Sequence, residues 1–148
     1  MQVTTKGRYA VLAVIDIASH EQNGPVSRKD ISARQQLPSD YVEQILVRLR
    51  RANIVASTRG PHGGYRLARL PAAITALDVL DAVDEELDAA SCVGENAATC
   101  ARSGTCASHL LWDELTAKVS EYLRSVTLAM LLDRHRLLER GDRPLTLA

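Results

Sequence analysis

The residues best equipped for chemistry sit in one short stretch, SCVGENAATCARSGTCASHLLW at 91–112, with the spacing Cys92-x7-Cys100-x5-Cys106-x2-His109. Thiolates and an imidazole are soft ligands, and no pair here forms the Cys-x2-Cys knuckle of most structural zinc sites. Cys106 and His109 stand three apart where a helix begins, so both can face one way, close to free helix amides that favour an anionic centre. An iron–sulfur cluster suits such a set, because exchanging one thiolate for a neutral imidazole lowers the negative charge, raises the potential and leaves one ligand sensitive to protonation. Zinc, redox-active thiols and simple packed cysteines are the alternatives that the spacing leaves open. A disulfide framework is disfavoured: the cysteines number 3, all in this loop, which fits a reducing compartment.

The rest of the chain must position that loop. Its 148 residues, 46% hydrophobic, suffice for one domain with a core, or a small domain with an extension. The run YAVLAVIDIA after Lys6 and Arg8 has the look of a secretion signal, but Asp16 interrupts it and no small-residue cleavage site follows. No apolar segment approaches the roughly 20 residues that span a bilayer, so a cytoplasmic protein without membrane attachment is expected. The formal charge is zero but unevenly spread. Residues 1–75 hold 11 Lys/Arg against 5 Asp/Glu, and residues 76–148 hold 7 against 13, giving +6 and −6. A basic half joined to an acidic one points to a polyanion-binding module carrying a second unit.

Hydrophobic spacing supplies the elements. Ala10, Val11, Val14, Ile15 and Ala18 define one face of a first helix ending at Asn23-Gly24. Ser27 and Asp30 are a capping pair for a short second helix reaching about Gln36. From Ser39, a third helix sets Tyr41, Val42, Ile45, Leu46 and Leu49 on one side and turns Asp40, Glu43, Gln44, Val47 and Arg51 outward. The stretch IVASTRGPHGGYRLARLP then reads as a hairpin with Arg59 at its tip, flanked by Arg66 and Arg69. Helix, turn, helix and basic hairpin in that order predict a mainly α fold, a winged helix-turn-helix bound to double-stranded DNA, over residues 1–75. Candidate contacts are Ser39, Asp40, Glu43, Gln44, Arg48 and Arg51 on the helix, and Arg59 and His62 in the wing. Arg neutralises phosphate, while Gln and Glu can meet base edges. Glu43 has Val47 one turn on and no basic neighbour at that spacing, so its carboxylate should repel DNA unless a cytosine amino group satisfies it.

The run ITALDVLDAVDEELDA, with Leu77, Leu80 and Val83 inward, reads as an acidic helix, and together with the cysteine loop it forms a second segment over residues 76–107. Over 108–148, Leu111, Leu115, Val119, Tyr122 and Val126 recur at helical spacing. That stripe needs a partner, either the chain's own winged domain or, as expected here, an antiparallel helix pair in a homodimer. Thr127 is positioned to cap a last helix, LAMLLDRHRLLER, before a Pro-containing tail. Catalysis finds no footing, since His20, His62 and His135 are scattered without a nucleophile or metal spacing around them.

The runs TTKGRYAVLAVIDIA, YVEQILVRLRRANIVASTRGPHGGYRLA and LDVLDAVDE, with the Cys, Cys, Cys, His loop before LLWDEL, resemble a bacterial family of winged-helix transcription regulators that sense iron–sulfur or redox status. The likeness covers nearly the whole chain. It implies a homodimer with one 2Fe-2S cluster per subunit held by three cysteines and a histidine, here Cys92, Cys100, Cys106 and His109. It implies in addition a regulator that represses cluster-assembly genes when its cluster is present, with cluster-donor proteins as further partners. Glu43, Gln44 and Arg59 would be among its DNA readers. Three features depart from the family pattern: a first cysteine gap two residues longer than the common one, Asp40 in place of a serine, and His62 in the wing tip. A nitric-oxide-sensing branch carries an acidic ligand in the first helix, where this chain has Arg8. Thiol-, zinc- and nitric-oxide-responsive regulators of the same fold are the neighbouring alternatives.

Overall fold

In a computed structural model, which describes residues 2–94, 98, 100–143 and 146, the chain is six α-helices and one hairpin in the order α1 (Thr5–His20), α2 (Arg28–Gln35), α3 (Ser39–Arg51), β1 (Val55–Thr58), β2 (Gly64–Leu67), α4 (Ala76–Ala82), α5 (Ala107–Ser125) and α6 (Leu128–Glu139). The longer part of the Cys92–Cys100 gap, residues 95–97 and 99, and the tail proline Pro144 lie outside the described residues.

Local chemistry accounts for the helix starts. The Thr4 hydroxyl accepts from Gly7 N at 3.3 Å to open α1, and Ser27 accepts from Asp30 N at 3.1 Å to open α2. Thr75 and Asp78 form a reciprocal capping box on α4. Thr127 accepts from Met130 N at the head of α6. Gln36, in the left-handed region at φ 54°, closes α2 and lets Leu37 turn into the core. In α3, Val42, Ile45, Leu46 and Leu49 are buried, the stripe that a period of 3.6 demands. They pack with Ala10, Ala13, Val14 and Ile17 of α1 and Ile31 of α2. The same core takes in Val79 of α4 and Leu128 and Leu132 of α6, so the last helix folds back onto the winged unit.

The hairpin is antiparallel, Val55 opposite Leu67 and Thr58 opposite Gly64. Tyr65 exchanges two backbone hydrogen bonds with Val26, at 2.8 and 2.9 Å. Glu21 fastens the other side, its carboxylate accepting from Leu67 N at 2.7 Å. The wing therefore leaves the body from a fixed base.

The acidic helix is shorter than its sequence suggests. It stops at Ala82, and Asp84 takes φ 51°, a conformation that breaks a helix. Leu80 and Val83 are buried and Leu77 is half-buried. Helical propensity yields here to tertiary contacts made by residues 84–88, described below.

Asp16, the acidic interruption in the apolar run, is 1% exposed. Arg34 grips it through two hydrogen bonds, Nε–Oδ1 at 2.9 Å and Nη2–Oδ2 at 2.7 Å, and Gln35 Nε2 adds a third at 2.9 Å. Burial alone would push the carboxyl up; the Arg34 and Gln35 hydrogen bonds and the Arg34 charge outweigh it and hold the group below the ordinary carboxylate range. This pair ties α2, the first half of the helix-turn-helix, to α1. Arg34→Met leaves a buried carboxylate with the Gln35 amide and, 3.8 Å away, the His20 ring, and is expected to cost about 3 kcal/mol, measured by urea unfolding at neutral pH. The pair's contribution is full above the ordinary carboxylate range and is lost as pH falls through the lowered Asp16 value. The gap between wild type and variant should therefore narrow in acid.

Candidate functional site

His109 is the only buried residue that α5 has among its nineteen, Ala107–Ser125, and it is 8% exposed. Its Nδ1 is buried without a hydrogen-bond partner among the described residues. A polar ring nitrogen left so is costly unless something else satisfies it. The candidates are at hand: the ligating atoms of Cys92, Cys100 and His109 all lie within 4.8 Å of one another. The loop supplies the two thiols and α5 supplies the imidazole. Val93, fully buried beside Cys92, anchors the loop. Two soft thiols and an imidazole that lacks a partner form a donor set suited to an iron–sulfur centre or to zinc, not to the oxygen-seeking cations.

Cys106 stands apart from that trio. It is the residue before α5, and its Sγ lies 3.1 Å from the Ser108 hydroxyl. That hydrogen bond, followed by those from the amides opening α5, holds its thiol below the usual thiol range. Of the four expected ligands, three are gathered and the fourth is close in sequence but directed elsewhere.

Of the residues expected to meet DNA, α3 presents Asp40, Glu43, Gln44 and Arg51 exposed, with Ser39 half-buried at its start. Arg59 and His62 are exposed at the wing tip. Two expectations change. Glu43 is not an unpaired carboxylate: Arg28 of α2 forms a salt bridge with its Oε2. The i to i+4 arithmetic that left Glu43 bare sees only α3, and the partner comes from the preceding helix. Arg48 is paired as well, with Asp84. Among the basic residues flanking the wing, Arg66 donates to the Glu21 carbonyl at 2.8 Å and Arg69 lies 3.6 Å from Asp78, so both serve the wing's base. Glu21 and the Asp16–Arg34 pair escaped the sequence reading; an acidic residue inside an apolar run was the available signal for the second.

Along α5, Leu111, Leu115 and Tyr122 are 55%, 41% and 47% exposed. Val119 is half-buried, and Val126 leaves the stripe, 3% exposed in the chain's own core at the end of the helix. Beside Tyr122 runs an apolar groove of about 430 Å³ lined by Val3, Val11, Leu12, Leu80 and Leu131. No helix among the described residues is long and apolar enough to cross a membrane.

Comparison with known proteins identifies the family and the fold. The Rrf2 family model, described as an iron-dependent transcriptional regulator, matches residues 3–134. The HTH-type transcriptional regulator IscR of Yersinia pseudotuberculosis is 45% identical over 143 residues, 97% of this chain and 86% of that protein. Among solved structures, T. potens IscR superposes with a TM-score of 0.73 at 33% identity, covering 99% of this chain and 94% of that one. CymR (YrzC), the global cysteine regulator of B. subtilis, gives 0.74 at 34% identity over 90% and 97% of the two chains. These relatives are transcription regulators and not enzymes.

Proposed function

The chain belongs to the Rrf2 family of iron-dependent transcriptional regulators, and on that premise we propose that it is a cytoplasmic, homodimeric repressor whose choice of DNA operators follows the state of a 2Fe-2S cluster, one per subunit. Its targets are cluster-assembly genes, and assembly or donor proteins load it. The observation that carries this reading is the convergence of Cys92, Cys100 and the partnerless His109 ring. Cys106 completes the ligand set by turning from Ser108 toward the trio. When bound, the cluster supplies a redox-active and loss-prone centre that reports on iron–sulfur supply. The chain's own part is to hold three ligands ready on one rigid helix and one loop, and to offer α3 and the wing to the duplex. Gln44 reads a base edge, Arg51 and Arg59 meet phosphate or a narrow groove, and Ser39 and His62 approach the backbone. Asp40 and the Arg28-paired Glu43 restrict which sites are accepted.

The low-lying Cys106 thiol supports a second reading, a regulator that responds to thiol oxidation through this half-buried cysteine. Metal and sulfide analysis of protein purified without oxygen separates the two. The 2Fe-2S reading expects about two irons and two sulfides per chain, together with a change in the duplexes recovered from a randomised pool once the iron is stripped. Zinc without sulfide, or a metal-free protein whose DNA binding responds to peroxide, would replace it.

A further inference from the structure

Residues 84–94 lead from the end of α4 to the cysteine loop, touching α3 through Arg48, and they are fastened at both ends. At the first, the Glu85 side chain is buried and accepts from Thr4 N at 2.6 Å and from the Thr4 hydroxyl. It presses so closely on α1 that a Cβ at Gly7 would lie 2.6 Å from Glu85 Oε2. Beside it, Asp84 holds its left-handed backbone while its carbonyl accepts from Lys6 Nζ at 3.0 Å and its carboxylate pairs with Arg48 of α3. At the second, Ala89 N donates to Thr116 Oγ1 of α5 at 2.9 Å, and Leu87 and Val93 are buried. The Asp88 carboxylate lies where a side chain on Gly94 would be, 2.1 Å from an ideal Cβ. Cys92 sits inside this packed strap.

The two acidic neighbours differ in strength. Glu85 is buried and satisfied, a fixed pin. The Asp84–Arg48 pair is exposed, with side-chain accessibilities of 76% and 42%, and exposed pairs are weak and readily exchanged. Arg48 sits on the same helix as Gln44 and Arg51, one turn from the former, where a phosphate is the natural competitor for its guanidinium.

We infer that Asp84 is an intramolecular stand-in for DNA phosphate: it withholds Arg48 from the duplex, and the strap through Cys92 makes that hold depend on whether the cysteine site is ligated. The inference rests on the proposed function and adds its route from the cysteine site to α3. It gives Arg48 a role that α3 alone does not disclose, a phosphate contact available only after Asp84 lets go.

The test uses the full chain, cluster-loaded and iron-stripped, with a short random-sequence duplex titrated by fluorescence anisotropy across a series of potassium chloride concentrations. In stripped protein, Asp84→Asn should bind about threefold more tightly at moderate salt and steepen the salt dependence by about one unit per chain, as expected for one added phosphate contact. Asp84→Glu should restore the wild-type slope. In an Arg48→Ala background, Asp84→Asn should give no gain. The salt slope of wild type should differ between loaded and stripped protein, and that of Asp84→Asn should not. A gain that persists without Arg48, or an unchanged slope in Asp84→Asn, overturns the stand-in role while leaving the regulator reading intact. Equal wild-type slopes in the two states overturn the dependence on ligation. A chain that binds no duplex in either state overturns the proposed function, and the inference with it.

Discussion

Cys100→Ala is expected to yield a colourless protein, its iron and sulfide reduced to background, that still folds and still binds duplex DNA but no longer changes operators when iron is withdrawn. Cys100 is the member of the trio held by the loop alone; Cys92 is anchored through Val93 and His109 through α5. Removing its thiol breaks the gathered trio and leaves Cys92 and His109 with only the outlying Cys106, one ligand short of the four that hold a cluster against loss. His109→Cys should keep the iron, since a thiolate replaces the imidazole, and should lower the reduction potential, because the centre gains negative charge. His109→Leu fills the same buried space without a ligand, so it separates packing from ligation: its thermal stability should hold while the visible absorption disappears. Full iron and sulfide in Cys100→Ala would defeat the ligand assignment. Cys106→Ser decides what the outlying thiol contributes. Loss of iron there makes it the fourth ligand, and retention hands that place to another group.

The elements were legible in the sequence wherever they depend on neighbours. Ser27 and Asp30 cap α2, Thr127 caps α6, and the buried face of α3 follows from its period. The contacts that organise the site were not, because they join residues distant in sequence. Arg28 meets Glu43 and Arg48 meets Asp84 across turns that no helical period describes. The early end of α4 has the same cause: helical periodicity continues past Ala82, but Glu85 gains more from capping α1 than from extending its own helix. Asp16 shows the reverse case. Its type and position advertised a buried charge, and only its partner, Arg34, had to wait for the fold. In the cysteine loop the ligand types were plain, whereas which thiol would stand outside the trio depends on where α5 begins, and that start falls immediately after Cys106.

Leu115→Asp is expected to convert a dimer into monomers and to weaken operator binding by about two orders of magnitude or more. A helix that buries only His109 of its own residues and leaves Leu110, Leu111, Leu115 and Tyr122 between 41% and 62% exposed offers apolar surface that a second copy can cover. The neighbouring groove beside Tyr122 is apolar too, so a second copy finds complementary surface in both features. Two-fold symmetry counts every substitution twice. A carboxylate forced into such a seam costs a few kcal/mol even where partly compensated, so the pair weakens the dimer by about 4 kcal/mol, roughly a thousandfold in dissociation constant. DNA binding follows, because two linked readers gain about 10²–10⁴ over one. Asp113→Lys is the control: it changes charge on the far side of α5, two residues from Leu115 and so about 200° round the helix, and should leave the dimer intact. Sedimentation velocity across a concentration series reads the assembly directly. A wild-type monomer at micromolar concentration, or an unaltered dimer in Leu115→Asp, would place the subunit contact elsewhere and leave the α5 stripe without its partner.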